Sequence, residues 1–153
     1  YDADGHLASV TDPNGNTTEY GYDRLDRLTT ITQPAVTDPS VAPVGSTSVR
    51  PVTTYTYDAV GNRTAVTDAL GHTTTYTYDS LYRVVKITDP AVPAADGIGT
   101  VVPVTTDAYD SFGNRVETTD ARGFTTTYSY CSNSLTSSRA AIRFSSSGSA
   151  RHR

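Results

Sequence analysis

The stretch YDAVGNRTAVTDALGHTTTYT, residues 57–77, contains every part of a β-hairpin and decides the fold. Thr, Val and Tyr dominate the runs 63–67 and 73–78, and such branched and aromatic side chains favour strands. Between the runs, Asp68-Ala69-Leu70-Gly71 predicts a turn, because an Asp carboxylate bonds the N–H groups ahead of it and Gly accepts a positive φ. The Gly61-Asn62 pair predicts a second turn, since both residues tolerate left-handed geometry.

The same pattern recurs on both sides of this stretch. Gap-free copies begin at Tyr1 and Tyr109, while longer units that begin at Tyr22 and Tyr78 lack the first Gly. Successive Tyr-Asp pairs are 21, 35, 21 and 31 residues apart, so the true period is a pair of hairpins. The motif residues that we expect to be structural are Tyr1, Asp2, Gly5, Tyr22, Asp23, Tyr57, Asp58, Gly61, Tyr78, Asp79, Tyr109, Asp110 and Gly113.

Each long unit carries an insertion rich in Pro and Val, at 34–52 and 90–104. Because Pro cannot donate a ladder hydrogen bond, we expect both insertions to be loops or extended excursions at one edge of the sheet, on the same side. Over half of 1–130 is predicted to be antiparallel strand, with no helix longer than about two turns. Alternation places Tyr76 and Tyr78 on one face, where stacked hairpins would form Tyr ladders.

Composition agrees with an all-β class and excludes several functions. Hydrophobic residues make up 36% of the chain, and no segment is long and apolar enough to span a membrane. The net charge is −4, but residues 1–130 hold 8 basic and 16 acidic residues, which argues against nucleic acid as a partner. The chain has no Met and starts at Tyr1, so we expect it to be either processed or a piece of a longer protein.

The repeated motif resembles that of the RHS/YD-repeat family, which is Tyr-Asp, two residues, Gly, a polar residue and then Leu or a similar residue. Tyr57 to Arg63 and Tyr109 to Arg115 carry it, and Tyr1 to Leu7 is a third copy. Tyr22 to Leu28 has Asp in the Gly place, and Tyr78 to Val84 has Tyr there. The resemblance implies tandem antiparallel β-hairpin repeats over 1–130 that form a curved strip of a YD-repeat shell.

The resemblance also implies a function. Members of the family build hollow β-shells, and bacterial members often hold a C-terminal toxin inside. We therefore expect a structural, encapsulating segment of a larger secreted or cell-surface protein, with no catalysis and no cofactor in this piece. The expected partners are the rest of the parent polypeptide and its enclosed C-terminal domain. The alternative is a module that binds glycans or a partner surface through exposed Tyr and Thr faces.

Residues with possible chemistry have plainer interpretations. His6 and His72 occupy places that sister repeats fill with Asn or Phe, which indicates turn residues. The run 12–16, DPNGN, begins like a calcium loop, but its Gly is fourth rather than sixth and its sister turns lack the ligands. We expect no catalytic and no metal residue. From Cys131 to Arg153 the repeat and the acids end abruptly, which predicts either a frame-shifted end or a disordered basic tail.

Overall fold

A computed structural model describes residues 1–37, 48–130 and 140–141. All regular elements in these ranges are β-strands. They are β1 Ser9–Thr11, β2 Thr17–Tyr22, β3 Leu28–Thr32, β4 Val36–Thr37, β5 Ser48–Val49, β6 Val52–Tyr57, β7 Arg63–Thr67, β8 Thr73–Tyr78, β9 Val84–Thr88, β10 Val92–Pro93, β11 Thr100–Val101, β12 Val104–Tyr109, β13 Arg115–Thr119, β14 Thr125–Thr127, β15 Ser129–Tyr130 and β16 Ala140–Ala141. The all-β prediction is confirmed.

Ten strands form one antiparallel sheet in the order β1-β2-β3-β6-β7-β8-β9-β12-β13-β14. Strands that neighbour each other in sequence are neighbours in the sheet, as tandem hairpins require, and the two insertions are left out of the order. The hairpin predicted over 57–78 lies at β7 and β8, with the expected strand bounds 63–67 and 73–78. None of the residues in the described ranges is helical.

The chain divides into two compact units, residues 1–74 and 75–153. In the first unit, the register shifts between Gly21 and Tyr22 where β2 pairs with β3, and between Thr56 and Tyr57 where β6 pairs with β7. The second unit repeats this shift where β8 pairs with β9 and where β12 pairs with β13. Four motif Tyr residues thus stand at β-bulges, which interrupt the regular alternation of side chains; they are Tyr22, Tyr57, Tyr78 and Tyr109.

Each insertion forms a small hairpin of its own. In the first unit β4 pairs with β5, and in the second β10 pairs with β11. A backbone hydrogen bond closes the base of each, from Gln33 N–H to Pro51 O (2.8 Å) and from Asp89 N–H to Pro103 O (2.9 Å). The described parts of the insertions at 34–37, 48–51 and 90–103 are extended excursions outside the ten-stranded sheet, as predicted, whereas Val52 and Val104 begin β6 and β12. Residues 38–47 lie outside the described residues, and emergence on the same side stays a prediction.

The sheet has no buried core. Within the described ranges no hydrophobic residue and no polar residue is fully buried, and even well-covered side chains such as that of Asp107 stay partly exposed. An ordinary small domain buries roughly 60% of the surface that its unfolded chain exposes. This sheet therefore lacks the apolar layer against which a sheet face normally packs.

The strand content falls just short of the expected majority. Strands take 60 of the 120 described residues in 1–130, which is half rather than over half. The difference lies in the turns, which use five residues each.

In the tail, β15 pairs with β16. No helix in the described residues is long and apolar enough to cross a membrane. Cys131 and most of 131–153 lie outside the described residues, so the two interpretations of the tail stay predictions.

Candidate functional site

The repeated turn is the best-defined feature of the chain, and residues 58–62 show its geometry. The Asp58 carboxylate accepts hydrogen bonds from the N–H groups of Val60 (3.1 Å) and Asn62 (2.8 Å) through Oδ1, and from Asn62 Nδ2 through Oδ2 (2.8 Å). The Gly61 N–H donates to Asp58 O, and the Asp58 N–H donates to Asn62 O. The Asp58 side chain thereby supplies acceptors for turn N–H groups that would otherwise have no hydrogen-bond partner in the backbone.

Eight turns share this arrangement, with Oδ1 of the first Asp accepting from the N–H groups two and four residues later at 2.8–3.1 Å. Five follow a motif Tyr and are called the Tyr-Asp turns here. They begin at Asp2, Asp23, Asp58, Asp79 and Asp110. Three follow a Thr and are called the Thr-Asp turns, beginning at Asp12, Asp68 and Asp120. The role predicted for Asp68 is confirmed in all eight.

The hydrogen bonds lower the pKa of seven of these carboxyls below the ordinary value of 3.8. For Asp23 and Asp79 the largest cause is the side-chain hydrogen bond from an Arg four residues later, and for Asp58 it is the bond from Asn62. The others are Asp2, Asp12, Asp68 and Asp110. Each carboxylate is thus stabilised in its charged form by the turn that it holds together.

The fourth turn position requires a left-handed backbone. Gly61 has φ +99° and Gly71 has φ +84°, as predicted for these two glycines. The long units lack Gly, yet Asp26 and Tyr82 adopt φ +62° and make the same turn. The turn predicted from the Gly61-Asn62 pair is confirmed. Gly61 takes the left-handed position, and the Asn62 side chain bonds Asp58.

The hydroxyl of a motif Tyr bonds the preceding repeat. Tyr57 donates to the carbonyl of Leu28 (2.8 Å), and Tyr109 donates to that of Val84 (3.0 Å). The same bond joins Tyr22 to Leu7 and Tyr130 to Arg115. The acceptor is always the residue six places after the preceding motif Tyr. This link was not predicted from the sequence, although the Tyr at the same place in every repeat could have indicated it.

In the long units an Arg side chain adds a second contact between repeats, which is called the clasp here. The residue five places after a motif Tyr is called the slot residue here, and it is Arg27 in the first unit. Its guanidinium binds the Asp23 carboxylate at 2.7–2.8 Å, donates from Nη1 to Asp58 O at 3.0 Å, and lies 4.7 Å over the ring of Tyr57. Arg27 therefore touches both its own turn and the next Tyr-Asp turn, and combines an ion pair with a cation–π contact.

The second unit repeats the clasp with Arg83. Its guanidinium binds Asp79 at 2.6–2.7 Å and lies 4.4 Å over the ring of Tyr109. Here Nη1 is buried and has no hydrogen-bond partner among the described residues. The slot residue of the first motif, His6, bonds Asp2 through Nδ1 (3.1 Å) and stacks on Tyr22 with ring centroids 4.7 Å apart. The turn role predicted for His6 is thus part of a larger contact.

The predicted Tyr ladder takes a different form. Tyr20, Tyr55 and Tyr76 lie on alternate strands, and their cross-strand partners are Ile31, Val66 and Ile87 respectively. The intervening strands β3, β7 and β9 thus place an aliphatic side chain where a continuous ladder would need Tyr. Thr pairs do form beside the Thr-Asp turns, with Oγ1 atoms 2.8–2.9 Å apart in the pairs Thr11–Thr17, Thr67–Thr73 and Thr119–Thr125.

The candidate metal ligands belong to turns. In the run 12–16, both Asp12 oxygens accept hydrogen bonds from Asn16, and Oδ1 also accepts from Asn14. The side chains of Asp2, Asp4 and His6 lie within 4.8 Å of one another and are mostly exposed. Asp2 uses both oxygens to hold its own turn, so this trio is explained without an ion.

Comparison with known proteins agrees with this geometry. The family model RHS Repeat matches residues 1–39, 44–73 and 57–91, which together make up more than half of the chain. The repeat continues beyond residue 91, because the turn at Asp110 has the same hydrogen bonds as the turn at Asp58. No curated protein matches the chain.

Two similar solved structures show the same fold. One is described as the crystal structure of TcdB2-TccC3-Cdc42, with a TM-score of 0.65, 24% identity and 93% of this chain covered. The other is TcdB2-TccC3 without the hypervariable C-terminal region, with a TM-score of 0.64 and 24% identity. This chain spans 8% of the length of each of these solved chains.

Proposed function

Because the chain belongs to the RHS repeat family, we propose that it is a stretch of wall in a larger shell that encloses a separate C-terminal domain, with no catalysis of its own. The observation that carries the proposal is a ten-stranded sheet in which no described side chain is buried. A sheet without a core gains its stability from neighbouring repeats and from whatever covers its faces.

The proposed partners follow from the same observation. The rest of the parent polypeptide continues the sheet beyond its end strands, and the enclosed domain faces one of its surfaces. The similar solved chains are about twelve times longer than the matched segment, which supports a parent of many more repeats. As in other shells that carry a toxin, the parent is secreted or displayed at the cell surface.

The Tyr side chains favour this structural role over glycan binding. The rings of Tyr57 and Tyr109 are each covered by a guanidinium, and their hydroxyls bond backbone carbonyls of the preceding repeat. A sugar ring needs an open aromatic face and free polar groups beside it. The motif Tyr residues use both features within the sheet, so they hold repeats together.

Limited proteolysis of the full-length parent protein tests the proposal. We expect the enclosed domain to resist protease, and the double variant Tyr57→Ala and Tyr109→Ala to make it sensitive. Leu70→Ala is the matched control, because Leu70 is 81% exposed at the tip of a Thr-Asp turn. A domain that is cleaved equally fast in the unsubstituted parent contradicts enclosure. Turnover of esters, peptides, glycosides or nucleic acids by the purified chain contradicts the absence of catalysis.

A further inference from the structure

Consecutive Tyr-Asp turns are connected in two ways. In the first unit, the turn at 2–6 leads to the turn at 23–27 through β1, a tight Thr-Asp turn and β2. The turn at 23–27 leads to the turn at 58–62 through β3, a long insertion and β6. In the second unit, β9, an insertion and β12 connect the turns at 79–83 and 110–114. The slot residue that precedes an insertion is Arg in both units.

The two connections place different demands on strand register. A tight turn fixes the register of its two strands through its own geometry. A long connection fixes it less tightly, because its ends can close in more conformations. Here the short hairpin of each insertion and one backbone hydrogen bond at its base also hold the two strands together. A contact outside the insertion would therefore add to the preference for one register where β3 pairs with β6 and where β9 pairs with β12.

Arg27 supplies such a contact. It is anchored in its own turn by two bonds to Asp23, so its guanidinium has a fixed position above β3. From there Nη1 reaches Asp58 O, and the planar group covers Tyr57, the last residue of β6. A slip of β6 by one residue would move Tyr57 to the other face of the sheet and break both contacts at once.

We propose that Arg27 and Arg83 help to set the strand register across the two insertions by contacting the Tyr-Asp motif that follows each one. Recognition needs the planar guanidinium, whose Nε and Nη2 both contact Oδ2 of the preceding Asp while its face lies over the ring of the next Tyr. The insertions then do not have to fix the register alone. Their length and sequence can vary without changing the sheet, which leaves them as the surfaces on which such a wall can differ from one repeat to another. The inference goes beyond the shell function and does not depend on enclosure.

Amide hydrogen exchange of the full chain tests this directly, with the variants Arg27→Asn and His6→Asn. Asn is the slot residue in two sister turns, at Asn62 and Asn114, so the turn itself survives both changes. Loss of hydrogen bonds to a charged group accounts for about a tenfold change in a local opening equilibrium. We expect Arg27→Asn to speed exchange about tenfold at the amides that pair β3 with β6, and to leave β1 and β2 near their original rates.

His6→Asn is the matched control, because a tight Thr-Asp turn already fixes the register between β1 and β2. We expect it to change the exchange of these strands by less than about threefold. Arg27→Lys is a second, milder variant in case Arg27→Asn fails to fold. Lys keeps the positive charge but lacks the planar guanidinium, so this variant should also speed exchange where β3 pairs with β6. Equal loosening by His6→Asn, uniform loosening of all strands by Arg27→Asn, or normal exchange in both Arg27 variants would overturn the proposal.

Discussion

The hydroxyl of Tyr57 donates a 2.8 Å hydrogen bond to the backbone carbonyl of Leu28, 29 residues earlier in the chain. The first residue of one motif is thereby tied to the preceding repeat. Removing the hydroxyl should cost about 1 kcal/mol, the usual net contribution of one hydrogen bond. We expect Tyr57→Phe to lower the free energy of unfolding by that amount in urea titrations.

Tyr55→Phe is the control for this change. Tyr55 lies on the same strand, and its hydroxyl makes no hydrogen bond within the described residues, so its removal should cost less than about 0.5 kcal/mol. Equal losses in the two variants would contradict a special role for the motif Tyr.

The turn carboxylates make the free energy of unfolding depend on pH in the acidic range. Their hydrogen bonds lower the pKa of Asp23 and Asp79 in the folded chain, so the folded state holds protons less tightly than the unfolded state does. The resulting stability is present above the unfolded pKa of about 3.9 and is lost as the pH falls through the lower folded pKa. We expect the urea midpoint to stay level from about pH 7 to pH 5 and to fall below about pH 4.

The double variant Asp23→Asn and Asp79→Asn checks the assignment. Two titrating groups are removed while amide oxygens remain to accept the turn hydrogen bonds. The midpoint of this variant should fall less steeply between about pH 4 and pH 3 than that of the parent. A parent midpoint that is flat down to about pH 3 would show that the turn carboxylates do not carry this dependence.

Replacing the glycine at the left-handed position of a turn by a residue with a side chain should lower the free energy of unfolding. Gly61 has φ +99°, which lies outside the small left-handed region that L residues tolerate, although nothing lies within 4 Å of an added Cβ. The penalty of Gly61→Ala is therefore conformational and should be about 1–2 kcal/mol. Urea unfolding of this variant and of Ala59→Gly, at an ordinary turn position, separates the left-handed requirement from general turn flexibility. Losses no larger for Gly61→Ala than for Ala59→Gly would contradict the requirement.

The end strands should cause self-association of the isolated chain. Strand β1 pairs only with β2 in the sheet order, and all three of its residues are exposed. Unpaired strand edges recruit other strands, and a charged residue on the edge opposes this. We expect sedimentation to show concentration-dependent association that Val10→Lys reduces. A monomer with an unfolding free energy above about 5 kcal/mol, the lower end for ordinary domains, would contradict the absence of a self-sufficient core.

Most of the fold could be predicted because its determinants are local. Thr and Val in 63–67 and Thr with Tyr in 73–78 indicated the two strands, and Asp68 with Gly71 indicated the turn between them. The contacts between repeats were harder, because they depend on register. Arg27 is 31 residues from Asp58, and nothing in the spacing of either residue reveals that a guanidinium will bridge them. The same limit led to a predicted Tyr ladder where Ile31 and Val66 actually face the Tyr side chains.

Insertion of a second copy of residues 57–108 directly before Tyr109 tests the central claim most directly. These residues make up one full pair of hairpins, so the copy keeps every Tyr-Asp turn in phase. In a modular wall the copy joins the sheet and adds stability as a further repeat. We predict an unchanged circular dichroism signal per residue and a urea m-value that rises in proportion to the added surface. An unfolded insert, seen as an unchanged m-value and a diluted strand signal, would contradict the account.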